Sequence, residues 1–278
     1  MSVSRIDKRF ADLKAQNRSA FIAYIMAGDP NPEASFEVLK GLPAAGADII
    51  ELGFPFSDPM AEGPTIQAAA ERALAAGTRI RDVFDLVRRF RAFDTETPII
   101  LMGYMNPVES MGHFAFARAA AEAGADGLIV VDCPPEEAGP LSDALDVNDL
   151  ALIRLATPTT DEARLQTIIK RTRGFIYYVS VTGVTGVKEA DADAVAGAVA
   201  RVREASNLPV AVGFGIRTPE RAAAVARVAD AAVVGSALVD EIKTSLLENA
   251  PITVKVLAKV KDLAQAVHSA RADALQAK

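Results

Sequence analysis

The sequence predicts a single-domain α/β protein whose strands close into a (β/α)8 barrel, the TIM barrel, and three observations support this. Eight short apolar runs alternate with helical segments along the chain, as parallel strands alternate with crossover helices. Eight such units in about 250 residues suffice to close a barrel. The tetrapeptide Ala-Gly-Ala-Asp precedes both the second and the fourth strand, at 45–48 and 123–126, which indicates an internal repeat. A doubly wound open sheet is the alternative, but it would require an early glycine fingerprint and a reversal of strand order in mid-chain.

The predicted strands are short apolar runs ended by turns or polar residues; the first ends at Gly28-Asp29-Pro30. They cover residues 20–27, 49–52, 97–102, 127–131, 150–153, 175–179, 209–212 and 231–234. Helices fill the intervals at about 32–45, 64–76, 80–93, 112–122, 135–145, 161–171, 191–205 and 218–228. An amphipathic helix at about 3–16, with Ile6, Phe10 and Leu13 on one face, precedes the barrel of about 20–248. Helices at about 237–248 and 253–275 end the chain, and no linker divides residues 1–278.

Composition restricts the possible chemistry. The net charge is −6 and no long basic run occurs, so nucleic-acid binding is not expected. Two histidines, His113 and His268, leave little material for a zinc site or a histidine-based triad, so catalysis is expected to depend on carboxylates. The single Cys133 rules out an intrachain disulfide framework, and neither a signal segment nor a run of membrane-spanning length occurs. We therefore expect a protein without a metal, a membrane partner or a nucleic-acid partner. We expect it in the cytoplasm, and a reduced compartment of an organelle is an equally good alternative.

Acidic residues gather at the end of the second strand. Glu51 follows Ile49-Ile50 and precedes Leu52, so its surroundings should be apolar, and partial desolvation would favour the neutral acid that a proton donor needs. In the barrel fold the active site lies at the C-terminal ends of the strands, where Glu51 is expected. A structural role, in which Glu51 pairs with a neighbouring Lys or Arg, is the alternative. Asp58 and Glu62 follow in the next loop and could equally be solvated loop acids.

Glycine-rich segments follow the last three strands, at 180–187, 213–215 and 235–236. Glycine allows backbone N–H groups to approach a ligand closely, and the helix that opens at Ser236 adds a favourable dipole. Any one of these glycines could merely permit a tight turn. Together, the three loops favour the phosphate cradle that such barrels commonly carry.

At this point the motifs resemble the tryptophan synthase alpha chain family. The resemblance rests on residues 51–59 with 63–67, and on 27–30, 102–107, 183–186 and 213–216, in order across nearly the whole chain. It implies a TIM barrel that cleaves indole-3-glycerol phosphate to indole and D-glyceraldehyde 3-phosphate by a retro-aldol reaction. It also implies that indole passes to a beta subunit for L-tryptophan synthesis.

The resemblance assigns roles to individual residues. Glu51 matches the general acid–base glutamate that protonates the ring carbon, and Glu62 matches the second acid, which holds the indole N–H. The family usually has aspartate there, within Ala-Asp-Gly-Pro, whereas this chain has glutamate in 61–64, and the extra methylene changes the reach of the carboxylate. Val181 stands where an arginine is common. The resemblance implies that further residues order the site or bind phosphate: Tyr177, Thr185, Gly186, Gly215, Gly235 and Ser236.

The resemblance also implies a partner. Family members act in an alpha2beta2 heterotetramer with a beta chain that carries pyridoxal phosphate, and no cofactor is expected in this chain. The expected docking surface comprises loop 54–62 and the loop at 104–107, with candidates Phe54, Pro55, Phe56, Asp58, Asn106 and Pro107. An exposed apolar stretch at 54–56 would mark an interface, although these residues could instead pack over the barrel mouth.

Two other functions are weighed against the lyase. A different phosphate-binding barrel, such as an isomerase of the same amino-acid pathway, would be expected to place lysine or cysteine at strand ends, and no strand of this chain ends in lysine. A catalytically weak regulatory subunit is favoured only by Glu62 in place of aspartate.

Overall fold

The structure is a computed structural model, and it describes residues 4–180, 192–213 and 215–276. In the described residues, eight parallel strands pair in chain order, and β8 pairs with β1 to close the barrel. The strands are β1 Ala20–Met26, β2 Ile49–Gly53, β3 Ile99–Gly103, β4 Gly127–Val130, β5 Ala151–Ala156, β6 Ile176–Val179, β7 Val210–Gly213 and β8 Ala231–Val234. The predicted fold class is confirmed, and the strand bounds differ from the prediction by at most a few residues.

The helices surround the barrel. They are α1 Arg5–Ala15, α2 Pro32–Ala45, α3 Pro64–Ala75, α4 Ile80–Arg91, α5 Met105–Met111, α6 His113–Ala123, α7 Gly139–Val147, α8 Glu162–Ile169, α9 Ala192–Ser206, α10 Pro219–Val228, α11 Ser236–Leu247 and α12 Ile252–Gln276. One prediction was wrong: residues 105–111, expected to be loop, form α5. Among the described residues, no helix is long and apolar enough to cross a membrane.

The repeated aspartate before alternate strands has one structural role. The carboxylate of Asp48 accepts a hydrogen bond from the backbone N–H of Phe21 at 2.8 Å, at the start of β1. Asp126 does the same for Ile99 at the start of β3, at 2.8 Å. Asp230 does the same for Val210 at the start of β7, at 2.9 Å. The repeat therefore stabilises the N-terminal end of the barrel, the end opposite the expected active site.

Side chains alternate between the barrel interior and the surrounding shell, as the period of a strand requires. Interior residues such as Ile22, Ile100 and Ile153 form one cluster with the apolar face of α1. Within that cluster the rings of Phe10 and Phe175 lie 5.7 Å apart. Because α1 closes the N-terminal end of the barrel, a ligand enters at the C-terminal mouth.

Candidate active site

Glu51 occupies the barrel interior near the C-terminal end of β2. Its neighbours in register are Tyr24 of β1 and Ile100 of β3. The residue is only 1% exposed, and neither carboxyl oxygen has a hydrogen-bond partner among the described residues. Burial raises the pKa of Glu51 to about 8, and the nearby Glu62 carboxylate contributes to the increase. Glu51 is therefore protonated at neutral pH, the form in which it can donate a proton.

Glu62 follows in the loop before α3, and backbone contacts position it. Its N–H donates to the Pro59 carbonyl at 3.0 Å, and its carbonyl accepts from the Gln67 side chain at 2.9 Å. The preceding N–H, that of Ala61, donates to the Tyr104 hydroxyl at 2.9 Å. Burial raises the pKa of Glu62 to about 7, so this acid ionises more readily than Glu51. Two acids with different pKa values can divide the roles of proton donor and acceptor.

Two tyrosines share the interior with these acids. A Cβ atom added to Gly213 would lie 2.1 Å from the Tyr177 hydroxyl oxygen, and one added to Gly53 would lie 2.4 Å from that of Tyr24. Glycine is thus required at both strand ends because a tyrosine occupies the space. Burial raises the pKa of both tyrosines, and the two glutamates raise it further, so both hydroxyls stay neutral.

Sequence reasoning identified Tyr177 but missed Tyr24. The strand period could have revealed Tyr24. It lies two residues after Ile22 and two before Met26, so it shares their inward face.

The glycine-rich ends of β7 and β8 lie side by side, since these strands are paired. Gly215 has φ +79°, a conformation that favours glycine. Gly235 immediately precedes α11, whose first residue is Ser236, so the unpaired N–H groups of that first turn lie at the barrel mouth. Gly186, predicted to join this cradle, and Thr185, predicted to help order the site, lie outside the described residues, as does Val181.

Asp240 of α11 ties this region to the loop that carries Glu62. Its carboxylate accepts a hydrogen bond from the Thr65 hydroxyl at 3.0 Å and also pairs with Arg217 in the segment after β7. Asp240 thereby connects three parts of the barrel mouth: the first turn of α3, the segment between β7 and α10, and α11.

The docking surface expected at 54–62 needs one correction. Phe54 is only 2% exposed, and its ring lies 5.9 Å from that of Phe116, so it anchors the loop in the core and offers no surface to a partner. Gly103 permits this, because a Cβ there would lie 2.1 Å from the Phe54 ring. Pro55 and Phe56 are half-buried, and the ring of Phe56 lies 5.3 Å from that of Tyr104.

The outer part of the same loop is exposed. Asp58 is exposed, and Met60 is 84% exposed. Asn106, which is exposed, and Pro107, which is half-buried, lie in the first turn of α5.

Asp132, whose role the sequence left open, accepts a hydrogen bond from the Met105 N–H at 2.8 Å and so fixes the start of α5.

In the described part of the chain, no group of three or more His, Cys, Asp or Glu side chains is placed to hold a metal ion.

Comparison with known proteins decides the family. The family model described as "Tryptophan synthase alpha chain" matches residues 10–268. The chain belongs to the tryptophan synthase alpha chain family. A curated tryptophan synthase alpha chain from Caulobacter sp. (strain K31) is 67% identical over 98% of each chain. One from Gluconacetobacter diazotrophicus is 55% identical over 97% of this chain and 100% of that protein.

Solved structures agree with the family membership. The crystal structure of tryptophan synthase subunit alpha from Legionella pneumophila has a TM-score of 0.89 and 44% identity, covering 96% of this chain and 99% of that one. A tryptophan synthase structure from M. tuberculosis gives a TM-score of 0.85 and 36% identity over 96% of this chain and 99% of that one. As a tryptophan synthase alpha chain, the protein is a carbon–carbon lyase that cleaves indole-3-glycerol phosphate to indole and D-glyceraldehyde 3-phosphate.

Proposed function

We propose that Glu51 and Glu62 are the acid–base pair of this lyase reaction. The observation that supports the proposal most strongly is the position of Glu51, buried inside the barrel on β2 with its pKa raised to about 8. A carboxyl group that is protonated at neutral pH can give its proton to a carbon atom, which an ordinary exposed carboxylate cannot do.

In the first step, Glu51 protonates the indole carbon that bears the glycerol phosphate chain. The ring double bond supplies the electron pair of the new C–H bond, and positive charge develops at the ring nitrogen. The Glu62 carboxylate accepts the N–H hydrogen bond there and stabilises that charge. The lower pKa of Glu62, about 7, suits it to the ionised role.

In the second step, the ionised Glu51 takes the proton of the hydroxyl group next to the scissile bond. The carbon–carbon bond breaks as the aldehyde forms, and its electron pair returns to the indolenine and restores the aromatic ring. Glu51 ends the cycle protonated, so the reaction needs no other proton donor and no redox partner.

The phosphate group would be held by backbone groups at the ends of β7 and β8. Gly215, Gly235 and Ser236 support this role through a positive φ and the opening turn of α11, and Gly186 would complete the cradle. Tyr177 would help to position the substrate from inside the barrel. Thr185 would help to position it from the loop after β6. With the phosphate at β7 and β8, the indole ring would extend toward Glu51 and Glu62 on β2 and its loop.

The partner would be a tryptophan synthase beta chain, in an alpha2beta2 heterotetramer to which indole passes. The chain itself would need no cofactor, because pyridoxal phosphate would be bound by the beta chain. It would act in the cytoplasm, as one domain spanning residues 1–278. The docking surface that the exposure supports comprises Pro55, Phe56, Asp58, Asn106 and Pro107, without the buried Phe54. The Phe56–Tyr104 contact joins its two halves into one face.

The experiment is indole release from indole-3-glycerol phosphate, measured with and without a beta chain, for the wild-type chain and for Glu51→Gln. Glutamine keeps the size of the side chain but has no proton to donate, so we expect loss of turnover with the fold retained. Glu122→Gln, an exposed position on α6, is the matched control and should keep wild-type turnover. Near-normal turnover in Glu51→Gln would refute the assignment.

A further inference from the structure

A cavity of about 270 Å³ lies outside the proposed active site. It lies between the loop after β4 and residues 152–155 of β5. Its lining includes Cys133 and Pro134 of that loop, Ala138 before α7, and Leu152 and Arg154 of β5. Neither glutamate of the active site lines it.

Residues of both the outer and the interior clusters line this cavity. Along β5, Leu152 belongs to the cluster between barrel and helices, whereas Ile153 belongs to the interior cluster and Leu155 packs against it. Arg154 lies two residues after Leu152 and therefore points to the same outer side. A ligand bound at Arg154 would occupy the space under loop 132–138, on the outer side of β5.

Arg154 is a buried cation that forms no ion pair among the described residues. The residue is 8% exposed, and among the described residues its buried Nε has no hydrogen-bond partner and its guanidinium forms no ion pair. Burial lowers the pKa of Arg154, and the nearby guanidinium groups of Arg171 and Arg164 lower it further, whereas the Glu136 carboxylate raises it. A guanidinium left in this state is costly for the fold, and an anion that entered the cavity would remove that cost.

Nearby arginines differ in this respect. Arg164 of α8 pairs with Glu136 of the covering loop, and Arg171 pairs with Asp143 and Asp146. The Arg164–Glu136 pair holds the covering loop against α8, and the Arg171 pairs join the segment after α8 to α7. Unlike Arg154, both of these arginines therefore have carboxylate partners.

The lining also restricts the ligand. Val130, Leu152 and Ala138 are apolar, so an inorganic ion alone would leave most of the surface without contacts. Asp132 also lines the cavity, so a second negative charge on the ligand is disfavoured. The volume lies just below the range of about 300–1,000 Å³ typical of ligand pockets, so the ligand must be small.

We propose that this cavity binds a small organic monocarboxylate, whose oxygens accept hydrogen bonds from Arg154 and whose apolar part contacts Val130 and Leu152. A planar carboxylate matches the fork of N–H donors on a guanidinium. The site is distinct from the proposed lyase site, because neither Glu51 nor Glu62 lines the cavity.

The test uses the one cysteine of the chain as a reporter. Cys133 lines the cavity and is partly accessible, so a bound ligand should slow its reaction with the neutral reagent 4,4′-dithiodipyridine. With benzoate as the probe, we expect saturable protection, about tenfold at ten times its dissociation constant, because only the unliganded cavity reacts. Benzyl alcohol, of similar shape but uncharged, should protect far less.

Arg154→Met should abolish protection by benzoate, while Arg171→Met, which removes an equal charge outside the cavity, should retain it. Unchanged basal indole release would show that Arg154→Met is folded. Should that variant not fold, the Nε–Hε resonance of Arg154 in the 15N-labelled wild-type chain gives a second readout, and benzoate should shift it. Equal protection by benzyl alcohol, protection that survives in Arg154→Met, or an Nε–Hε resonance that benzoate leaves unmoved would overturn the proposal.

Discussion

Replacing Glu51 by glutamine should stabilise the protein at alkaline pH while it removes activity. The folded chain holds this carboxyl group with a pKa of about 8 against an ordinary value of 4.5. Between those two values the folded state binds more protons than the unfolded chain, so the wild-type stability falls as the pH rises. Glutamine has no proton to lose, so the variant escapes this dependence.

The magnitude follows from the pKa. Raising it from 4.5 to about 8 corresponds to about 5 kcal/mol of folding free energy once the pH is well above 8. At pH 6 only about 2 kcal/mol of that loss has appeared. The stability advantage of Glu51→Gln over wild type should therefore grow by about 3 kcal/mol between pH 6 and pH 9.

Urea unfolding at the two pH values, extrapolated to water, measures this difference. Glu122→Gln is again the control: its side chain is exposed in the folded protein, so its difference from wild type should not change with pH. A stability gap between Glu51→Gln and wild type that stays constant from pH 6 to pH 9 would show that Glu51 titrates like a surface acid. The reasoning that makes it a proton donor would then fail.

Three further predictions concern the same region. The kcat/KM for indole release should be bell-shaped in pH, rising as Glu62 ionises near 7 and falling as Glu51 ionises near 8. Glu62→Asp should keep measurable turnover because the carboxylate is retained, whereas Glu62→Ala should lose nearly all of it. Phe54→Ala should destabilise the chain by about 3–5 kcal/mol in urea unfolding, because a fully packed ring is removed from its contact with Phe116.

Contrary results would be equally informative. A pH profile that stays flat from 6 to 9 would separate catalysis from both carboxyl groups. Full activity in Glu62→Ala would reduce Glu62 to an ordinary loop acid. Phe114→Ala, at an exposed position, is the control and should cost little stability. If Phe54→Ala lowers the free energy of unfolding by less than about 1 kcal/mol, the Phe54 ring does not anchor the loop after β2 in the core.

Local sequence patterns predicted most of the fold. Buried parallel strands appear as short apolar runs, and amphipathic helices as apolar residues at helical spacing, so both can be recognised without tertiary contacts. Helix α5 was not predicted because residues 105–111 include Pro107 and closely follow a strand. Its first N–H is satisfied by Asp132, which lies in the turn after β4. A helix start that depends on a distant carboxylate has no local signature.

The sequence by itself determined the barrel, the placement of Glu51 on the second strand and the glycines of the last loops, because strand period and glycine conformation are local properties. Tertiary structure decided the rest. Phe54 turned inward because Gly103 leaves room for its ring beside Phe116. The raised pKa of Glu51 depends on enclosure by neighbouring strands and on Glu62. The unpaired Nε of Arg154 depends on the packing of loop 132–138 over β5, where Glu136 pairs with Arg164 instead. Burial and pairing are relations between distant segments, and only the folded chain brings those segments together.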